Sequence, residues 1–411
     1  MLLFEISTKF FLPIIFLLLI SVIVQIILRA TKIKFIPAFV IELVIGILIA
    51  KPFNNFIEQN NFGDLVDGIY VLGLSLIMFL SGYDVDAFRI KKKAQKFHNL
   101  KWSIIILVLI YVVGFGLSWI FVEGENKLSQ SLLITLVITS VFAGLVVPLV
   151  QSTGVISSSV GQFISTFASI SELLSILLLS IYMVVIDMSS GNWYFGVIMF
   201  AIILLVLFLN IKYGFSRVSE FLEANVFDHL PARVLVVMIL LMVFLSDLSG
   251  GEYILGAFLF GFLVRELGIF KKAINTFDDI VYGIFSPIFY ILVGTRIDIS
   301  LFVGNKELLI TVIGLVGAIL ASRLPLLLLI KHHKLKSLIP SILISTSTII
   351  VAIAASHIGL SNNLFTLEFS EALILASIIT CIIPPIVFET FALFGVFKEN
   401  STSEEIGHET N

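Results

Sequence analysis

Apolar runs of the length that crosses a bilayer, roughly 17 to 25 residues, recur along almost the whole chain and are separated by short polar segments. Reading them as helices gives about thirteen transmembrane spans, centred near residues 19, 43, 74, 110, 141, 172, 201, 240, 260, 288, 318, 348 and 382. The first run, from Phe10 to Leu28, is followed by Arg29, Lys32 and Lys34 and shows no small-residue cleavage site, so it reads as a retained span. With 59% apolar and 13% charged residues, the composition is that of a polytopic all-α membrane protein rather than a soluble domain with one anchor.

Charge placement orients these spans. Of the 25 Lys and Arg residues, only Lys9, Lys51, Lys127, Arg296 and Lys306 fall on the side shared with the amino terminus, and Arg323 lies inside a span. The rest fall on the opposite side, which the positive-inside rule makes cytoplasmic. The amino terminus is therefore expected outside and the carboxy terminus in the cytoplasm, at the plasma membrane. The last residues, 398–411, read as a short acidic tail.

Polar residues within the runs carry the candidate chemistry. Glu172 stands near the middle of the sixth span, where an acidic side chain costs roughly 2.5 to 3.5 kcal/mol to insert. Helical spacing puts it on one stripe with Ser158, Gln162, Ser165, Ser169 and Ser175. Such a carboxylate faces a protein interior or a water-filled cavity and serves ion or proton movement. The bland alternative is a protonated glutamate hydrogen-bonded to serines between packed helices. Arg323 in the eleventh span keeps its proton, so its expected task is to hold a buried acid or polar broken helices, with Glu42 in the second span as the named partner. Snorkelling to an interface is the alternative.

The chain also resembles itself. "IELVIGILIA" at 41–50 is similar to "LGAFLFGFLV" at 255–264, pairing Gly46 with Gly261. "FLSGYDVD" at 79–86 is similar to "ILVGTRIDIS" at 291–300, pairing Gly82 with Gly294. The offset of seven spans, being odd, makes this an inverted-topology repeat, expected over about 8–187 and 232–397 with a connector helix over about 192–211. Secondary transporters built this way hold their ion site where broken helices meet at mid-membrane. Two clusters mark the expected breaks: Thr139, Ser140, Gly144 and Pro148 in the fifth span, and Ser345, Thr346, Ser347 and Thr348 in the twelfth. Either cluster alone also suits plain helix packing.

Five segments in register strengthen the reading: "IPAFVIELVIGILIAKP" at 36–52, "GLSLIMFLSGYDVD" at 73–86, "GVISSSVGQFISTFASISELLSILLLSIY" at 154–182, "LGAFLFGFLVRE" at 255–266 and "SPIFYILVGTRIDIS" at 286–300. Together they resemble the monovalent cation:proton antiporter family, in the branch of bacterial sodium/proton exchangers and potassium efflux antiporters. The resemblance implies a fold with two broken, crossing helices. It places the ion-binding carboxylate on Glu172, where the family usually has aspartate preceded by Asp, Asn or Gln and this chain has Ser171. It implies Na⁺ or K⁺ bound at Glu172, aided by hydroxyls of Ser171, Thr139 and Ser140, and a homodimer in the lipid bilayer. A lone carboxylate preceded by a neutral residue, and Arg rather than Lys at 323, resemble the electroneutral members.

No cofactor and no nucleic-acid partner are expected; the ions handled are H⁺ and Na⁺ or K⁺. Enzyme readings lack support, since the chain has no nucleotide loop, no HExxH and no nucleophile elbow, and its single cysteine, Cys381, rules out a disulfide framework. A sodium-coupled solute symporter and a transport-inactive sensor or scaffold are the rivals from other classes.

Overall fold

The structure is a computed structural model that describes residues 11–31, 38–84, 97–187, 230–248, 253–302, 304–331 and 335–397. Among the described residues it is all helix, without strands, and nine stretches are long and apolar enough to cross a membrane. Each predicted span falls on a described helix or pair of half-helices, except the one near residue 201. That span, the connector over 192–211, the basic loop around residues 89–96, and the acidic tail lie outside the described residues.

The first four helices are α1 (Leu12–Thr31), α2 (Ala38–Gln59), α3 (Gly63–Asp84) and α4 (Phe97–Ser118). The fifth predicted span is two half-helices, α5 (Lys127–Thr139) and α6 (Ala143–Ser152), and α7 (Ser159–Asp187) follows. After the undescribed connector come α8 (Leu230–Leu248), α9 (Tyr253–Leu267), α10 (Lys271–Ile280) and α11 (Ser286–Thr295). A π-turn at Val281–Phe285 joins α10 to α11, with Pro287 in the first turn of α11, where its missing N–H is harmless.

Then α12 (Lys306–Ser322) starts at Asn305, whose side chain accepts the Leu308 N–H, and ends where Pro325 forbids continuation, passing into a 3₁₀ stretch at Leu324–Lys331. The twelfth predicted span is again two half-helices, α13 (Leu335–Ile344) and α14 (Ile350–Ser361). The last helix is α15 (Leu367–Leu393), capped by Thr366.

Close packing divides these elements into two groups. One holds α1, α2, α3, α8, α9, α10 and α11; the other holds α4 to α7 and α12 to α15. Among the described residues, α2 against α15 is the one helix pair that packs closely across the division. Within the first group, glycines let backbones touch. A methyl on Gly46 would be driven into the Ile291 carbonyl and one on Gly294 into the Leu43 carbonyl, so α2 and α11 meet at glycine distance. A methyl on Gly82 would strike the Phe258 carbonyl and one on Gly261 the Phe79 carbonyl, which ties α3 to α9 in the same manner. Because the repeat pairs Gly46 with Gly261 and Gly82 with Gly294, exchanging the two halves turns the first contact into the second. The internal symmetry read from sequence thus reappears as two equivalent helix crossings.

These crossings give a direct test. Gly261→Val should cost about 1 to 3 kcal/mol or more, because backbone rather than a flexible side chain must yield. Gly116→Ala, in α4 with open space around it, should be neutral or gain up to about 1 kcal/mol from helix propensity. Thermal unfolding in detergent reads both, and equal behaviour of the two variants would contradict the packing.

Candidate functional site

The two broken helices cross at their interruptions. After Thr139 the backbone turns extended at Ser140 and Phe142, and α6 begins at Ala143. The Phe142 N–H donates to the Ser347 carbonyl at 2.8 Å, and the hydroxyls of Ser140 and Thr348 hydrogen-bond each other. Both breaks are fully interior, with Thr139, Ser140, Ser345, Thr346, Ser347 and Thr348 each no more than 1% exposed.

Such interruptions leave unpaired carbonyls at the ends of α5 and α13 and unpaired N–H groups at the start of α6. Arg323, completely buried, answers the carbonyls. Its Nε donates to Ser345 O at 3.0 Å, one terminal nitrogen to Thr139 O at 3.0 Å, and the other to Ser140 O at 2.6 Å. A planar fork of five donors suits three divergent acceptors, and a fixed positive charge suits the negative ends of two helix dipoles. The depth of Arg323 excludes snorkelling. Its partners among the described residues are the carbonyls of the broken helices and not Glu42. Glu42, 2% exposed on α2, instead accepts the Ser21 hydroxyl at 3.2 Å.

Glu172, 3% exposed on α7, answers the N–H groups. One carboxylate oxygen accepts the Ala143 N–H at 3.2 Å, at the first residue of α6, so a negative charge sits on the positive end of a half-helix. The other accepts the Ser81 hydroxyl at 3.1 Å from α3, across the division between the two helix groups. Glu172 also lines a cavity of about 800 Å³, together with Ser81, Ser165, Ser169, Ala143 and Glu42. Gln25, Gln151, Arg265 and Asp278 also line it.

Aromatic rings close one wall. Phe39 on α2 meets Phe142 edge-on at 5.9 Å and Tyr290 on α11 at 4.8 Å.

Other expected ligands lie elsewhere. The Ser171 hydroxyl donates to Thr139 O at 3.1 Å, and those of Thr139 and Ser140 bond within α5 to Thr135 O and Val137 O. They belong to the Arg323 network rather than to the cavity wall. In the second cluster, Ser345 and Thr346 bond back to Ile342 O and Leu343 O, and Ser347 donates to Thr380 O on α15. Ser81 was not expected at the carboxylate. It lies one residue before Gly82 in the "FLSGYDVD" segment, and its signal was the close helix contact that this glycine allows.

A buried carboxylate at the start of a half-helix, on the wall of a cavity between two helix groups, is the arrangement that secondary transporters of the inverted-repeat kind use for their ion site. Comparison with known proteins specifies it further. The family model described as sodium/hydrogen exchanger, transmembrane, matches residues 14–394, and the chain belongs to that family. The Bacillus subtilis protein YjbQ, whose Na⁺/H⁺ antiporter name is provisional, is 31% identical over 400 residues, covering 94% of this chain and 63% of its own length. This chain thus spans less than two thirds of that relative. The Na⁺/H⁺ antiporter of Enterococcus hirae is 22% identical over 87% of this chain and 92% of its own. The solved structure of the sodium proton antiporter MjNhaP1 from Methanocaldococcus jannaschii superposes with a TM-score of 0.61 over 95% of this chain and all of its own, at 15% identity, which speaks for the fold.

Replacing the guanidinium tests the clamp. Arg323→Met strands three buried carbonyls and should cost roughly 3 to 5 kcal/mol, while Arg323→Lys, with one ammonium for three divergent acceptors, should recover only part. Unchanged thermal unfolding of Arg323→Met would refute this assignment.

Proposed function

We propose that this protein exchanges a monovalent cation, Na⁺ or K⁺, for H⁺ across the membrane, one for one and without net charge movement, by alternating access at Glu172. The observation that carries the reading is the position of the carboxylate: on the cavity wall, on the start of α6, and bonded through Ser81 to the other helix group.

A buried carboxylate is held in the membrane at lower cost once neutralised, and a proton or a dehydrated cation does this equally. Competition for one site then couples the two fluxes, since the group crosses loaded with one or the other. Oxygens of Ser81, Ser165 and Ser169, which share the cavity wall with Glu172, would replace water around the cation. Arg323 keeps its charge throughout and is a clamp rather than a carrier.

The moving unit is the group holding α4 to α7 and α12 to α15, sliding against the remaining helices. Light packing across the division favours this partition, and the Ser81–Glu172 hydrogen bond and the Phe39–Phe142 contact must break with each crossing. The repeat boundaries near 8–187 and 232–397, the connector at 192–211, a homodimer and a plasma-membrane location complete the proposal. With the amino terminus outside, the cavity opens to the cytoplasm, because it is bordered by Arg265 and by the end of α1 that precedes Lys32 and Lys34.

The test is proteoliposomes loaded with a pH dye and given a proton gradient, to which Na⁺, K⁺ or Li⁺ is added. Cation-driven proton flux without a membrane potential is expected from the parent chain. Glu172→Gln should abolish it while leaving thermal stability close to the parent's, since an amide oxygen still accepts one donor. Lowering pH on the cation's side should raise the apparent KM for the cation with maximal rate kept at saturation. Undiminished flux in Glu172→Gln would overturn the mechanism, and solute-dependent Na⁺ uptake would replace it with symport.

A further inference from the structure

Two buried carboxylates, not one, line the cavity. Glu42 is 2% exposed, and its one hydrogen bond among the described residues comes from Ser21 Oγ. Among those residues no basic group forms an ion pair with it; the Arg323 guanidinium is committed to helix-end carbonyls. A carboxylate so placed is neutralised by a proton or by whatever cation enters the cavity.

The cavity wall carries a second sign of an occupant: the Ser165 hydroxyl, one tenth or less exposed, has no hydrogen-bond partner among the described residues. Unmade bonds of buried hydroxyls are costly, and a cation or its residual water would satisfy this one.

Glu42 and Glu172 differ in what carries them. Glu172 is on α7, in the group with the broken helices; Glu42 is on α2, which is locked to α11 by the Gly46–Gly294 contact. We infer that Glu42 is a second cation-attracting carboxylate, fixed to the static group, which draws the cation into the cavity toward Glu172 and does not cross the membrane with it. It raises affinity on the side to which this cavity opens and leaves the one-for-one exchange at Glu172 unaltered.

Ser21 on α1 donates to it, and Gln25 from α1, Glu172 from α7 and Tyr290 from α11 line the same cavity with Arg265, Asp278 and Tyr282. Glu42 attracts a cation only while ionised, so the affinity it adds is lost as pH falls, and cation affinity should depend on pH more steeply than competition at Glu172 alone allows.

The inference rests on the exchange reading, and the experiment separates the two. Na⁺-dependent thermal stabilisation of the purified protein reads binding without transport, beside exchange in proteoliposomes, both across a range of pH. Glu42→Gln should keep exchange at saturating Na⁺, weaken Na⁺ binding on the order of tenfold where Glu42 is charged, and flatten the pH dependence of that binding. Glu42→Asp should restore the slope.

Parent-like affinity and slope in Glu42→Gln would overturn the inference, as would loss of exchange at saturating Na⁺ in folded protein, which would make Glu42 part of the transported site. If Glu42→Gln does not fold, Ser21→Ala removes the donor to the carboxylate and should move the loss of affinity to higher pH; an unmoved profile would overturn the inference. Absence of exchange in the parent would sink the exchange reading itself, while the binding arm would still judge Glu42.

Discussion

A helix broken inside a membrane exposes backbone groups that neither water nor lipid can satisfy, and the site is built from the answer to that constraint. Carbonyl ends of α5 and α13 converge on one permanently charged guanidinium, Arg323. The amide end of α6 meets a carboxylate, Glu172. The two charges differ in kind. Arginine keeps its proton under all relevant conditions, whereas a carboxylate can be neutralised by a proton or by a small cation. One helix crossing therefore carries a fixed charge and one that can be neutralised, and of the two only the carboxylate lines the cavity.

The same division appears in the packing. Glycine contacts lock α2 to α11 and α3 to α9, making those helices a stiff frame. The broken helices, with α7 and α15, pack among themselves and meet that frame lightly. Contacts across the division are of a kind that can be remade: a hydroxyl to a carboxylate, and aromatic rings edge to edge. Glu172 sits at this boundary, so in the proposed exchange neutralising it would remove a charge from the surface along which the broken-helix group slides. In that exchange, chemistry at the carboxylate and motion of the group would be linked through one residue.

Much of this was legible in the chain. Span positions follow from apolar runs, and Glu172 and Arg323 stand out because ionised side chains are rare at that depth. Both breaks were marked by hydroxyl clusters at corresponding places in a repeat. What the sequence concealed was partnership. An isolated acid and an isolated base in one membrane suggest an ion pair, yet Arg323 is satisfied by backbone carbonyls, which every residue possesses and no sequence marks. Thr139, Ser140 and Ser171 lie near Glu172 along the chain or the fold, but their hydroxyls are drawn to helix-end carbonyls. Ser81 and Ser165 face the cavity because of how α3 and α7 are rotated, which is a matter of packing rather than of local pattern.

The claim on which everything turns is that one carboxylate holds either a proton or the cation. Purified protein in weakly buffered detergent solution, titrated with Na⁺ in the presence of a pH dye, reports this exchange without a membrane. Protons should be released as Na⁺ binds to the parent chain, and a Glu172→Gln variant should show neither the binding nor the release. Na⁺ binding without proton release, or undiminished release from the variant, would contradict it.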